Sequence, residues 1–303
     1  MITLKTLAKI NWTLAVLDKR PDGYHNIQSL MQTISLCDEL SFTECDHLKI
    51  ASTLHIPVEQ NLVFKAAQAL RSATSCSLGA AITLSKEIPE GAGLGGGSSN
   101  AAAALLGLNR LWSLGLSNAE LADIGAKVGS DVPFFFAGPV ARVEGRGDVV
   151  APLRMTQGFT LLLVYPAFGI STAWAYSELA ARRSLNLTKS PDNLDNIQLL
   201  LDILEKQDFS GIQSCLRNDL ESVVAERYPV ISAIRQQMFE AGAVAARMSG
   251  SGSTVFGIFA DEERAVRASH SFPGNWTRVV RTLTAADGSM MMTGSFFWGV
   301  DKR

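Results

Sequence analysis

The sequence predicts an α+β protein with two domains, and three observations support this expectation. The chain has 303 residues, about twice a typical domain length of roughly 150. Strand-like and helix-like segments alternate in its first half, and a similar pattern starts again near residues 150–160. Apolar residues make up 47% of the chain and charged residues 18%, which excludes a disordered, collagen-like or coiled-coil protein.

The first predicted element is a strand over residues 2–16. Most even positions in this segment are apolar, and a period of two is typical of a strand with one face in the core. Lys9 and Asn11 therefore point together to the polar side of the sheet. A turn at 20–23 then closes a hairpin. Two residues stand at its exit, Tyr24 and His25.

A helix between two further strands follows in the first half. The strands are predicted around residues 38–43 and 80–85 from their apolar and β-branched residues. Between them, Asn61 fits the N-cap of a helix that runs to about Arg71.

A glycine-rich loop follows Pro89 and leads into a helix that ends near Trp112. Five of the seven residues in 91–97 are glycine, and two serines come directly after them. Such a loop lets several backbone N–H groups converge on one anion at the positive end of the helix dipole. We therefore expect it to bind phosphate. A Walker A lysine is absent from the loop, so Lys9 and Lys86 are the candidate cations.

The next helix is predicted from a capping box formed by Ser117 and Glu120, and it should run to about Val128. Residues 129–133 then break the helix ahead of an apolar segment. This places Asp131 in a tight connection beside the core.

The second half of the chain predicts another α+β layer arrangement. A loop of small residues at 249–253 is its most distinctive feature. The predicted strands are 159–165, 243–248, 254–260 and 277–283, and the predicted helices are 172–181, 194–204, 230–241 and one that starts at Asp261.

Two other enzyme classes compete with a phosphate-binding enzyme as interpretations of these motifs. Gly91, Gly93 and Gly96 formally satisfy the dinucleotide-binding fingerprint, which makes an oxidoreductase the weaker alternative. The context disagrees, because a second helix follows where that fold needs a parallel strand ending in an acidic residue. A serine hydrolase is disfavoured because neither Ser98 nor Ser251 stands in a GxSxG turn.

Composition excludes several classes of partner. The net charge is −2 without a block of one sign, so we expect no nucleic acid. The longest apolar runs are about ten residues, too short to span a bilayer. Four cysteines without CxxC spacing indicate neither a zinc site nor a disulfide framework, and a cytoplasmic protein is expected.

Three segments in the right order resemble the motifs of the GHMP kinases: 7–11, 89–102 and 248–252. Segments 20–27, 129–135 and 145–147 further resemble the branch of this superfamily that acts on a cytidine-diphosphate-linked polyol. The similarity covers nearly the whole chain.

The resemblance implies a ribosomal-protein-S5-like domain over 1–155, a ferredoxin-like domain over 156–303 and an active site in the cleft between them. It implies ATP with Mg²⁺ as phosphate donor and the 2-hydroxyl of the polyol as acceptor, in a route to isoprenoid precursors. Another small alcohol as acceptor is the alternative within the superfamily. We expect a monomer or weak homodimer.

The resemblance also implies roles for individual residues. Lys9 and Asp131 match catalytic positions, and Asn61 matches a position near adenine. The substrate positions are Asn11, Tyr24, His25 and Tyr176. The ATP-phosphate loop comprises Pro89, Glu90, Gly91, Ala92, Gly93, Leu94, Gly95, Gly96, Gly97, Ser98 and Ser99. Glu90 is expected to face solvent, because an inward carboxylate would repel ATP. The motifs identify no magnesium ligand, and phosphate and water can supply most of that shell.

Overall fold

The computed structural model describes residues 1–52, 56–185, 196–209 and 211–287. They form two mixed helix–sheet layers, so the predicted α+β class is confirmed. The first sheet has seven strands: β1 Ile2–Lys19, β2 His25–Cys45, β3 Leu48–Ser52, β4 Gly79–Ser85, β5 Val140–Gly145, β6 Val149–Pro152 and β8 Arg217–Asn218. The second has four: β7 Thr160–Tyr165, β9 Ala245–Met248, β10 Val255–Phe259 and β11 Trp276–Arg281.

A long antiparallel hairpin of β1 and β2 forms the centre of the first sheet, whose main order is β3-β4-β2-β1-β8. The early part of β2 pairs with β5 and its later part with β4. Sequence analysis found only residues 38–43 of β2 and missed β3, β5 and β6. In the missed part of β2, residues 27–34 are buried on both faces, so apolar residues do not alternate there.

The first half contains the three helices that the sequence predicts and a short fourth one that it does not. They are α1 Leu62–Thr74, α2 Gly96–Leu111, α3 Asn118–Ala126 and the short α4 Phe134–Ala137, and a 3₁₀ turn spans Val58–Gln60. Asn61 caps α1, its Oδ1 accepting from the N–H of Val63 at 2.9 Å. Ser117 and Glu120 form the complete capping box of α3.

The second half has further helices around the antiparallel sheet, whose order is β11-β7-β10-β9. They are α5 Thr172–Ser184, α6 Asn196–Lys206, α7 Ile212–Cys215, α8 Asp219–Arg227, α9 Val230–Glu240 and α10 Glu262–Ser269. The predicted elements agree with these bounds within about three residues, whereas α7, α8 and β8 were missed. The first two residues of the predicted helix 194–204 and the aromatic cluster Phe296–Phe297–Trp298 lie outside the described residues.

The two sheets share a core and are joined by hydrogen bonds. Trp12 of β1 makes edge-to-face contacts with Phe159 and Phe256, each at 5.6 Å between ring centroids. The N–H of Leu283 donates to the carbonyl of Thr33 at 2.9 Å. The second layer therefore covers the face of β1 that carries Trp12. The side of the strand predicted to be polar is not solvated either, because the glycine-rich loop and Ser249 lie against it: Lys9 is 3% exposed and Asn11 2%.

In the described ranges, no helix combines the length and the apolar character needed to cross a membrane.

Candidate active site

A cleft of about 410 Å³ lies where the glycine-rich loop faces the second half of the chain. Strand β1, the loop before α2, the turn before α4 and the loop after β9 all contribute to its lining. Of the predicted site residues, those lining the cleft are Lys9, Asn11, Asn61, Lys86, Pro89 to Ser98, Asp131 and Tyr176.

The conformation of the glycine-rich loop explains why glycine is needed at two positions. Gly93 and Gly95 have φ values of +79° and +70°, which side chains with a Cβ rarely adopt. A Cβ at Gly93 would lie 2.1 Å from the carbonyl oxygen of Ser249. A Cβ at Gly95 would lie 2.8 Å from Cγ of Lys9. The loop is therefore packed directly on two other parts of the site.

Lys9 is the buried cation of the site. Its Nζ donates to Asn11 Oδ1 at 2.6 Å and to the carbonyl of Gly93 at 3.0 Å, and it lies 3.6 Å from Asp131 Oδ2. Burial lowers the pKa of Lys9, and the nearby Asp131 carboxylate opposes that shift. The ammonium thus joins the strand, the glycine-rich loop and the carboxylate.

A buried anchor holds Asp131 at the cleft. The next residue, Val132, is fully buried and packs against Gly125. The contact is so close that a Cβ at position 125 would lie only 2.5 Å from Cγ1 of Val132. Its N–H donates to the carbonyl of Gly129 at 3.1 Å, which closes the turn. Asp131 itself remains 31% exposed at its side chain, so a substrate can reach the carboxylate.

Asn11 is fixed by two serines. Its Nδ2 donates to Ser29 Oγ at 2.8 Å, and its backbone N–H donates to Ser249 Oγ at 3.3 Å. The amide oxygen is consequently turned toward Lys9. The predicted common orientation of Lys9 and Asn11 is confirmed.

The small-residue loop after β9 closes one side of the site. Asn218, to which the sequence analysis assigned no role, holds this loop in place. Ser249 Oγ donates to the carbonyl of Gly93 at 3.0 Å. Asn218 Nδ2 donates to the carbonyls of Met248 and Gly250 at 2.8 and 2.7 Å. Asn218 also caps α8. An Asn followed by acidic residues was a readable N-cap signal, but it gave no indication of this contact.

Lys86 lies at the base of the glycine-rich loop, but its charge is already paired. Its Nζ is 2.5 Å from Asp38 Oδ2, whose side chain has no exposed surface. Lys86 therefore lines the cleft as half of an ion pair, and its contact with phosphate stays a prediction.

Ser99 does not line the cleft, unlike its neighbours in the loop. It is fully buried, and its Oγ has no hydrogen-bond partner among the described residues. Glu90 behaves as expected, since it is exposed. Its carbonyl accepts from the Tyr165 hydroxyl at 3.3 Å.

Three of the predicted substrate residues, Tyr24, His25 and Tyr176, are only partly brought together. His25 and Tyr176 stack, with centroids 5.7 Å apart and planes at 28°. Burial lowers the pKa of His25, and Lys19 and Arg183 add to that effect; burial also raises the pKa of Tyr176. Tyr24 is 53% exposed, and neither it nor His25 belongs to the lining of the cleft.

Arg146 is a further residue at this end of the site that sequence analysis did not assign a role. Its guanidinium carbon lies 5.6 Å from the centroid of the Tyr24 ring. It also donates to Asp148 at 2.8 Å and to the carbonyl of Ala126 at 3.1 Å. Arg146 thereby joins the exposed aromatic ring to the region before the Asp131 turn.

Metal-type side chains do not cluster in the part of the chain that the structure describes. No group of three or more His, Cys, Asp or Glu residues there is arranged to hold a metal ion.

Comparison with known proteins gives a consistent result for both halves. The model of the GHMP kinases N terminal domain matches residues 61–139, and that of the GHMP kinases C terminal domain matches 200–278. A Thermodesulfovibrio yellowstonii protein named 4-diphosphocytidyl-2-C-methyl-D-erythritol kinase is 50% identical over 283 residues, 93% of this chain and 98% of the relative. A Synechococcus protein of the same name is 42% identical, with coverage of 89% and 90%.

Solved structures agree in fold. A crystal structure of 4-(cytidine 5′-diphospho)-2C-methyl-D-erythritol kinase matches with a TM-score of 0.79 and 28% identity over 93% of this chain and 99% of that one. A mevalonate kinase from L. major has a TM-score of 0.75 at 14% identity, covering 94% of this chain and 97% of that one, which shows the shared fold alone. The chain therefore belongs to the GHMP kinases and, within them, to the family of the 4-diphosphocytidyl-2-C-methyl-D-erythritol kinases.

Proposed function

We propose that this kinase transfers the γ-phosphoryl group of ATP to the 2-hydroxyl of 4-diphosphocytidyl-2-C-methyl-D-erythritol, a step toward isoprenoid precursors. The observation that carries the proposal is the buried Lys9 ammonium, 3.6 Å from the accessible Asp131 carboxylate and bonded to the glycine-rich loop. The names of the relatives support the choice of acceptor.

In the proposed reaction, Asp131 accepts the proton of the acceptor hydroxyl. The hydroxyl oxygen bonds to the γ-phosphorus as the bond from that phosphorus to the β–γ bridging oxygen breaks, and ADP leaves with that electron pair. Phosphoryl transfer depends mainly on positioning and charge stabilisation. Lys9 contributes to both, because it orients Asp131 and brings positive charge next to the carbonyl of Gly93.

The start of α2 is the proposed phosphate site. The first N–H groups of a helix lack intrahelical partners, and the helix dipole favours an anion there. In α2 these groups belong to Gly96, Gly97 and Ser98, which line the cleft. Asn61, at the same cleft, is proposed to lie near adenine.

Mg²⁺ is proposed to arrive bound to ATP. Asp131 and Glu90 are the carboxylates among the described lining residues, and Glu90 is exposed. This donor set fits an ion that keeps phosphate and water ligands and needs one protein carboxylate at most. When bound, the ion would neutralise phosphate charge.

The finer description of the fold is also a proposal. A boundary near 155 is supported by the end of β6 at Pro152 and the start of β7 at Thr160, and the four-stranded antiparallel sheet with helices supports a ferredoxin-like second domain. The packing of α2 on both strands of the long β1–β2 hairpin supports an S5-like first domain. The parallel pairing of β8 with β1 means that the second half completes the first sheet.

The acceptor is tested by measuring ADP formation with a panel of alcohols. We expect turnover with the cytidine-bearing methylerythritol and essentially none with mevalonate, homoserine or galactose. Comparable turnover with one of those three would overturn the acceptor while leaving an ATP-dependent kinase in place.

Replacing Tyr24 with Ala should raise KM for the cytidine-bearing acceptor roughly tenfold, because stacking of a base on an aromatic ring contributes about 1–3 kcal/mol. KM for ATP should stay within about twofold. Since the side chain is half-exposed, little stability should be lost. Tyr24→Phe is the matched control, because it keeps the ring and should restore most of the affinity. Equal increases in both KM values would make Tyr24 a structural residue.

A further inference from the structure

A carboxylate that the proposed reaction does not use lies beneath the glycine-rich loop. Asp38 is in β2, its side chain is fully buried, and it accepts four hydrogen bonds. Its Oδ2 accepts from Lys86 Nζ at 2.5 Å and from Asn100 Nδ2 at 2.9 Å. Its Oδ1 accepts from the backbone N–H groups of Glu87 and Ile88, both at 2.8 Å.

These four donors come from both ends of the loop. Residues 86–88 lead into it, and Asn100 stands in the first turns of α2, which leads away from it. We propose that Asp38 is a positioning residue for ATP, which clamps the two stems of the phosphate loop and fixes the Lys86 ammonium at its base. A Cβ at Gly96 would lie 3.1 Å from Lys86 Nζ, so this ammonium sits directly against the start of α2.

The chemistry of the cluster supports a precise positioning role. A buried carboxylate is costly unless its oxygens are satisfied, and bonds to a charged group are stronger than neutral ones. The cluster is closed further by Asn100, which donates to Thr6 Oγ1 at 2.6 Å and accepts from Lys86 at 3.2 Å. A loop held in its bound geometry before ATP arrives avoids an ordering cost on binding. Loss of the Asp38 charge should therefore weaken the binding of ATP and leave the binding of the acceptor unchanged.

The test measures ATP binding to the full-length protein by calorimetry without acceptor. The inference rests on the proposed use of ATP but not on the acceptor: wild-type protein that binds ATP yet phosphorylates no cytidine-bearing polyol would refute only the acceptor. Asp38→Asn should raise Kd for ATP about tenfold, while the acceptor KM at saturating ATP stays within about twofold.

Asp219→Asn is the matched control for loss of a buried carboxylate. Asp219 accepts from the N–H of Val16 and from the guanidinium groups of Arg183 and Arg217, none of which belongs to the loop or its stems. The Asp219→Asn variant should have a lower Tm than wild type, but its Kd for ATP should stay within about twofold of the wild-type value. A Kd for Asp38→Asn within twofold of wild type, or equal weakening by Asp219→Asn, would overturn the inference.

A second variant keeps the test decisive if Asp38→Asn does not fold. Asn100→Ala removes the tether to Asp38 on the α2 side, together with the bonds of Asn100 to Thr6 and Lys86, and leaves the Asp38–Lys86 pair in place. We expect ATP binding to weaken about threefold or more, with the acceptor KM unchanged. Unaltered ATP binding in a folded Asn100→Ala protein would show that the two stems are not clamped through Asp38.

Discussion

Replacing Asp131 with Asn should lower kcat about a hundredfold or more, while KM for ATP changes by less than about threefold. Asn keeps the shape of the side chain and can still accept a hydrogen bond from Lys9, which lies 3.6 Å away. It cannot take up the proton of the acceptor hydroxyl. The loss should therefore appear in the chemical step and not in the binding of the nucleotide.

Asp123→Asn is the matched control for this measurement. Asp123 is exposed in α3, in the element just before the turn that carries Asp131, and it does not line the cleft. Its replacement should leave kcat within about twofold. Near-normal turnover of Asp131→Asn would refute the role of Asp131 as base and leave it as a turn residue beside Pro133. An equal loss in the Asp123 variant would mean that the assay reports folding.

Sequence analysis identified the parts of the site that depend on local chain geometry. The glycine-rich loop, the N-cap at Asn61, the turn around Asp131 and the shared orientation of Lys9 and Asn11 each follow from residue type and spacing. These features were readable because the residues that define each one are close in the chain.

Features that depend on contacts between distant segments could not be read in the same way. Asp38 looks like an ordinary residue in a strand, yet its partners are about 50 and 60 residues away. Asn218 reaches the carbonyl of Met248 at the end of β9 and that of Gly250 in the following loop, 30 and 32 residues on. Long-range polar contacts leave no periodic signal in the sequence. For the same reason the burial of the polar side of β1 was not predicted: the glycine-rich loop and Ser249 lie against Lys9 and Asn11.

Replacing Lys9 with Met should also lower kcat about a hundredfold, with little change in thermal stability. Burial already lowers the pKa of Lys9, so the charged form carries a desolvation cost in the folded state. Met has a similar length and removes that cost, which offsets the loss of the bonds to Asn11 and Gly93. We expect Tm to stay within about 4 °C of wild type. Lys5→Met, at an exposed position of the same strand, should change neither kcat nor Tm.

The Asp131→Asn/Lys9→Met double variant tests whether the two residues act as a unit. Residues that share one step give strongly non-additive losses, because the second change removes an interaction that the first has already disabled. If Lys9 acts by orienting the Asp131 carboxylate, the double variant should be slower than the worse single variant by no more than about threefold. If the losses of the two single variants multiply to about 10⁴ in kcat, the two residues have independent roles. Lys9 would then act by stabilising the negative charge of the transferred phosphoryl group instead of by orienting Asp131. Because each single variant is expected to fold, purified protein can distinguish the two outcomes by steady-state rates.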